Sequence, residues 1–179
     1  GCVLFKDPSV GAFYKHDSPY TYFSSAELHL GEISLECSRA GASAVALWAT
    51  MQMFPLAPGG EFARGLAHGR EAAKALDRKL DADDRFMTAF PPELDIVIWA
   101  PMAEKASSVS HRAREIFNVA AENNLHLAVA GFPKSMFEKT WDIEWDEDRV
   151  DCLRSCLMKA EHLDWVERIW QILDKAAGE

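Results

Sequence analysis

The chain has 179 residues, of which 49% are hydrophobic, and a formal net charge of −9 at pH 7. That hydrophobic fraction supports a folded core and argues against an intrinsically disordered chain. An acidic chain lacks the basic surface that nonspecific nucleic-acid binding requires, and no apolar run is long enough to span a membrane. We therefore expect one sizeable domain, or a small one with an appendage, and neither nucleic acid nor a membrane as partner.

The cysteines indicate a reducing compartment. None of Cys2, Cys37, Cys152 and Cys156 forms a Cys-x-x-Cys pair or a zinc-ligand spacing with a histidine. Reduced, structural thiols in a cytoplasmic protein are the expectation. The chain starts without Met, in residues 2–5 that are typical of a buried strand. This start favours the C-terminal piece of a longer protein.

The first 60 residues predict little regular structure apart from one helix. Residues 8–36 are expected to be mostly loop, because prolines and glycines interrupt them. Residues 39–54 predict a helix that is apolar nearly all round and therefore buried on every face. Residues 1–60 do not close on themselves, so we expect the tail of another domain plus a connecting helix.

The rest of the chain predicts a compact domain. Helices are expected at 61–80, from Ser107 or Ser108 to about 123, and at 161–176, and strands at 86–90, 94–99, 125–130 and 150–158. The resulting order is α-β-β-α-β-β-α. Short links between strands favour an antiparallel sheet with helices on one face, an α+β fold for residues 61–179.

A hydroxyl, a guanidinium and a glycine precede the apolar helix, in Ser38-Arg39-Ala40-Gly41. Ser38 is a favoured N-cap residue, and the free N–H groups of a first helical turn bind anions. Arg39 adds a permanent charge with a planar fork of donors. The turn is a candidate phosphate site. The alternative is an ordinary N-cap at Ser38 with Arg39 bonding loop carbonyls, and Gly41 is expected to permit close packing at a helix crossing.

This turn resembles the Ser-Arg-x-Gly helix start of the pyridoxal-phosphate (PLP)-dependent amino-acid decarboxylases of group II, the glutamate, aromatic amino-acid and tyrosine decarboxylases. The sequences Gly1-Cys2-Val3-Leu4-Phe5-Lys6-Asp7, Gly11-Ala12-Phe13 and Ser18-Pro19-Tyr20-Thr21-Tyr22 resemble the strand and loop before that helix, and Cys152-Leu153-Arg154-Ser155-Cys156-Leu157 resembles the last strand of the family's small domain. The resemblance covers essentially the whole chain. Its first 50 residues are the specific part, and beyond them only the element order agrees.

The resemblance implies a fold-type I architecture. Residues 1–60 would be the tail of the large PLP-binding domain, with an active-site loop and connecting helix, and residues 61–179 the small C-terminal domain. The implied partners are the N-terminal large domain of the same protein, a homodimer partner and an amino-acid substrate. The implied reaction converts an L-amino acid into an amine and carbon dioxide.

The resemblance also implies roles for individual residues. Ser38 would reach across the dimer interface to the cofactor phosphate of the partner subunit, with Arg39 beside it. Tyr20, Tyr22 and His29 lie in the stretch that resembles the mobile active-site loop, so each is a candidate proton donor. The alternative is that the two tyrosines pack and His29 is solvated.

The family's central cofactor residues are missing from this sequence. The lysine of the Asp-x-His-Lys motif that forms the Schiff base, the aspartate at the pyridine nitrogen and the stacking histidine would all precede Gly1. Cys37 also stands where many relatives have glycine. We therefore expect the isolated chain to be inactive. The decarboxylase interpretation has two alternatives. The chain could be a non-catalytic binding or assembly module, or part of another fold-type I enzyme such as an aminotransferase or carbon–carbon lyase.

Arg154 is a candidate substrate-binding residue. Alternation along residues 150–158 places it on one strand face with Val150, Cys152, Cys156 and Met158. An arginine among apolar neighbours needs a partner. Related small domains carry such an arginine, so the resemblance implies a substrate carboxylate. A carboxylate from the acidic loop at 142–148 is the alternative.

That acidic loop carries five carboxylates, but its spacing is wrong for calcium. Counted from Asp142, the sixth position of an EF-hand loop is Glu147 instead of glycine, and the twelfth is Leu153 instead of glutamate. A solvated loop is expected, and no metal site is predicted.

Overall fold

The computed structural model describes residues 5–15 and 40–178. The chain divides into two units, Gly1–Pro55 and Leu56–Glu179. In the first unit, a 3-10 helix spans Pro8–Tyr14, where the sequence predicted loop. The Asp7 carboxylate accepts the Ser9 N–H at 2.9 Å, and this cap starts the helix. Residues 16–36 of the predicted loop lie outside the described residues.

Helix α1, Ala40–Met53, forms within the predicted range but without the predicted burial. Residues 41–53 are all exposed, with Trp48 at 63% and Met53 at 72%. A Cβ at Gly41 would meet no atom within 4 Å, so the expected close crossing is absent from the described residues. The described part of this unit contains no other long helix or strand that covers α1.

The second unit is a four-stranded sheet with three helices. Its elements are α2 (Glu61–Asp81), β1 (Phe86–Thr88), β2 (Ile96–Pro101), α3 (Ala106–Glu122), β3 (Ala128–Pro133), a short 3-10 helix (Lys134–Met136), β4 (Arg149–Cys156) and α4 (His162–Gly178). The strand order is β1-β2-β4-β3, and every pairing is antiparallel. The α+β class predicted from the sequence is confirmed.

One face of this sheet packs against the three helices. Trp99 pairs with Leu153 across β2 and β4, and both side chains are fully buried. Leu76 of α2, Ile116 of α3 and Leu173 of α4 belong to the same core cluster. The stripe on each helix is apolar because these side chains recur at helical spacing, and burying that stripe stabilises the unit.

The opposite face is covered at one end by aromatic residues that follow β3. Phe137 stacks on Trp141 with ring centroids 4.2 Å apart and 12° between the planes. The Trp141 indole N–H donates to the Thr88 carbonyl at 3.2 Å. Val150 and Cys152 of β4 are buried in this second cluster. Sequence reasoning missed the cover, since residues 134–145 have no helical or strand periodicity.

Strand β3 begins three residues later than the sequence predicted. Asn124 adopts φ of 62°, and the Leu125 N–H donates to the Ala120 carbonyl at 2.9 Å. Leu125 therefore completes the C-terminal turn of α3 and does not start the strand. The strand instead extends to Pro133, which is tolerated because β3 is an edge strand.

Candidate functional site

Arg154 lies where the sheet's second face becomes open. It pairs with Ile98 of β2 on one side and Ala128 of β3 on the other, so these three residues share a face. Cys152, on the same face, is fully buried, whereas Arg154 is exposed and Cys156 is half-buried. The aromatic cover therefore protects only one end of the face, and Arg154 is exposed at the other end, between Ile98 and Ala128.

The Arg154 guanidinium has no hydrogen bond or ion pair with any other residue that the structure describes. The acidic loop, the expected alternative partner, is engaged elsewhere. Glu144 pairs with Lys105 at 3.2 Å, and the Glu144 carbonyl accepts the Ala106 N–H at 3.0 Å. The carboxylates are exposed as predicted, but the loop's backbone is fixed against the start of α3.

Asp146 of this loop caps α3. Its Oδ1 accepts the Ser107 N–H at 3.0 Å, and its Oδ2 accepts the Ser107 hydroxyl. The bond from the Ser107 side chain lowers the pKa of Asp146 below its ordinary value. The predicted cap by Ser107 or Ser108 is wrong: Lys105 occupies the N-cap position, and the capping oxygen comes from a residue far along the chain.

The cysteine beside Arg154 is a buried thiol. Burial raises the pKa of Cys152 to about 12, so the thiolate is negligible at neutral pH. Cys152 and Cys156 are both free. Ile98 and Ala128, the residues that pair with Arg154 on the neighbouring strands, carry no charge. A planar cation in such a setting binds a carboxylate through two parallel hydrogen bonds.

Known proteins resemble this chain in structure more than in sequence. No family model and no curated protein matches it. The structure of Oryza sativa TDC, a tryptophan decarboxylase, with PLP aligns with a TM-score of 0.58 and 17% identity, over 83% of this chain and 29% of that one. The chain has the fold of part of a PLP-dependent decarboxylase. The same enzyme with PLP and tryptamine aligns with a TM-score of 0.53 and 16% identity, over 74% of this chain and 26% of that one.

This chain therefore spans less than a third of the length of the decarboxylase structures that it matches. At such identity the likeness establishes the fold alone. The predicted cofactor contacts Ser38 and Arg39, and the predicted loop donors Tyr20, Tyr22 and His29, lie outside the described residues. Of the predicted site residues, the structure places only Arg154.

The described residues do not form a site that fits the decarboxylase cofactor. Such a site needs a lysine amine held in a closed pocket, yet every described lysine side chain is exposed or half-buried. Among residues 5–15 and 40–178, no group of three or more His, Cys, Asp and Glu side chains is placed to hold a metal. Within the same ranges, no helix has the length and hydropathy needed to cross a membrane.

Proposed function

We propose that the chain is the C-terminal part of a PLP-dependent L-amino-acid decarboxylase and that it is inactive alone. The observation that carries this proposal is the structural match to a decarboxylase over 83% of the chain. The Ser38-Arg39-Ala40-Gly41 turn, which resembles the family's helix start, supports the same assignment. The parent enzyme would release an amine and carbon dioxide from its substrate in the cytoplasm.

In this proposal residues 1–60 end the large domain and residues 61–179 form the small one. Ser38 and Arg39 contact the cofactor phosphate, with Ser38 reaching into the partner subunit of a homodimer. Tyr20, Tyr22 and His29 belong to the loop over the active site, where one of them protonates the product. Closure of the small domain on the substrate would exclude water.

The exposure of α1 supports a larger protein. Thirteen consecutive residues of this helix, 41–53, are exposed, including Val45 at 64% and Trp48 at 63%. Contiguous apolar surface of this kind is unfavourable in water and marks an interface. The large domain and the second subunit of a decarboxylase dimer are the partners that would cover it.

Arg154 is proposed to bind the carboxylate of the amino-acid substrate. Its guanidinium is exposed and has no partner among the described residues, so a substrate carboxylate would not have to displace one. In the intact enzyme, Arg154→Gln should raise KM at least about tenfold, the effect of losing a charge-assisted hydrogen bond. Arg149→Gln is the matched control, because Arg149 lies on the same strand and binds the Gly131 carbonyl instead.

The decisive test begins with the gene sequence upstream of the codon for Gly1. It then compares the longer protein that this sequence would encode with the isolated chain. An Asp-x-His-Lys motif within a few tens of residues upstream supports the proposal, and the longer protein should then release amine from an L-amino acid. The isolated chain, mixed with PLP and reduced with borohydride, should carry no adduct at a defined lysine. A stoichiometric adduct with turnover in the isolated chain would disprove the proposal.

A free-standing binding module is the second candidate. The observation that favours it is the second unit's own core, in which Leu76, Trp99 and Leu173 are fully buried without help from another protein. An initiator Met at the position of the missing motif would support this candidate. Product analysis on the longer protein would identify an aminotransferase or carbon–carbon lyase.

A further inference from the structure

A cleft of about 520 Å³ opens at one end of the second unit. Its walls are the turn after α3, the end of β4 and the first half of α4. Arg154 does not line it. The volume lies within the range of about 300–1,000 Å³ that is usual for small-molecule sites.

Two permanent cations line this cleft although the chain carries a net charge of −9. They are Lys159 and Arg168; His126 lines it as well, and all three side chains are exposed. None of the three side chains has a hydrogen bond or ion pair with another described residue. Among the described residues that line the cleft there is no aspartate or glutamate. In an acidic protein, such a separation of charge selects an anion.

A fourth basic side chain leaves a polar atom without a partner. His162 lines the cleft, and its Nδ1 is buried with no hydrogen bond to any described residue. Its ring lies 5.8 Å from that of Trp165. Buried polar atoms normally have partners, so this one indicates that a ligand or an ordered water belongs beside it.

The remaining lining is apolar and partly aromatic. Leu157 and Ile169 are buried and form the floor, whereas Trp165 is 46% exposed and Met158 is 69% exposed. An exposed indole beside a thioether offers a flat, adaptable surface for a ring or a short aliphatic chain. The cleft therefore combines a surface for an apolar body with unpaired cations for an anionic head.

We propose that this cleft binds a small amphipathic anion, an aromatic or aliphatic body that carries one carboxylate. Lys159 and Arg168 receive the carboxylate, and Trp165 packs against the body. The assignment does not depend on the proposed decarboxylase function, because no residue of that site takes part. It holds equally for the chain within a longer protein or alone.

The test uses two probes of nearly the same shape, the charged 1-naphthylacetate and its neutral amide, 1-naphthylacetamide. Affinity is measured by calorimetry on the full chain, and the site is identified from the Trp165 indole N–H signal in NMR spectra. We expect the carboxylate to shift this signal and to bind at least about tenfold more tightly than the amide. Added salt should weaken binding of the carboxylate and leave binding of the amide unchanged.

Two variants distinguish binding in the cleft from nonspecific binding elsewhere on the chain. The double variant Lys159→Gln, Arg168→Gln should bind the carboxylate probe at least about tenfold more weakly, because both unpaired cations are lost. Arg78→Gln, at an exposed arginine of α2, should leave its affinity unchanged. Equal affinity for both probes, signal changes confined to Trp48 of α1, no effect of the double variant, or no binding at all would each overturn the proposal.

Discussion

Trp99 donates its indole N–H to the Oγ of Ser155 at 3.0 Å, and this bond joins β2 to β4 inside the core. Trp99 is fully buried, and Ser155 is 3% exposed. The serine pairs with Val97, so the bond runs diagonally between the strands. The indole nitrogen of a buried tryptophan needs an acceptor, and here a small hydroxyl on the partner strand supplies it. The polar serine therefore belongs to the apolar core.

Ser155→Ala should lower the free energy of unfolding by about 1–3 kcal/mol, because it leaves the Trp99 N–H buried without an acceptor. The measurement is urea unfolding followed by circular dichroism. Combining Ser155→Ala with Trp99→Phe, which removes the donor, should cost less than the sum of the two single changes. Additive costs would show that the bond contributes nothing.

Gly69→Ala should destabilise the second unit by about 1–3 kcal/mol through overpacking. A Cβ at Gly69 would lie 2.8 Å from the carbonyl oxygen of Leu157, a backbone atom that cannot move aside. Gly65 provides a matched control on the same helix, because a Cβ there would meet nothing within 4 Å. Gly65→Ala should stabilise by about 0.5–1 kcal/mol from helix propensity alone. Thermal unfolding measures both, and equal shifts would contradict the predicted contact.

Much of the second unit could be read from the sequence because its signals are local. The amphipathic repeat predicted α2 at 61–80 and the structure has Glu61–Asp81. Alternation along β4 correctly put Arg154 on the face that carries Val150 and Cys152. It did not predict that Arg154 is exposed, since that depends on how far the Phe137–Trp141 cover extends along the face.

Features that depend on distant residues could not be predicted in this way. The cap of α3 comes from Asp146, whose sequence separation from Ser107 hides it from local rules. The apolar composition of α1 predicts that something covers the helix but not what does, so the expected burial failed for the described residues. The chemistry of Ser38 and Arg39 predicts a phosphate site, the resemblance implies the cofactor phosphate as its ligand, and their placement stays a prediction.

Asp77→Asn should stabilise the protein at neutral pH and lose this advantage in acid. Burial, followed by the charge of Asp81 one helical turn away, raises the pKa of Asp77, and its Oδ1 is buried without a partner. A raised pKa favours the protonated form in the folded state. The native protein is therefore favoured below the ordinary pKa near 3.8 and loses that contribution as pH rises through the folded value.

The gain at pH 7 should stay below about 1 kcal/mol, because the carboxyl is only half-buried and solvent screens its charge. Urea unfolding across the acid range measures it. Asp84→Asn is the control, since Asp84 is exposed. An Asp77→Asn gain that persists below the ordinary pKa would contradict an electrostatic origin.

Cys156 should react with iodoacetamide well before Cys152 in the native protein. Cys152 is fully buried and its pKa is raised to about 12 by burial, so near pH 8 only about one thiol in 10⁴ is a thiolate. Cys156 is half-buried at the open end of the same strand face. Cys152 should therefore be modified only when the sheet unfolds.

Trypsin makes this comparison direct, because cleavage at Arg149, Arg154 and Lys159 places the two thiols in neighbouring peptides. Mass spectrometry of residues 150–154 and 155–159 over time should show modification of the second peptide first. In denaturing urea the two rates should converge, since neither thiol is then shielded. Equal rates in the native protein would mean that the aromatic cover of Phe137 and Trp141 does not close over Cys152, and would place this end of the sheet face in contact with solvent.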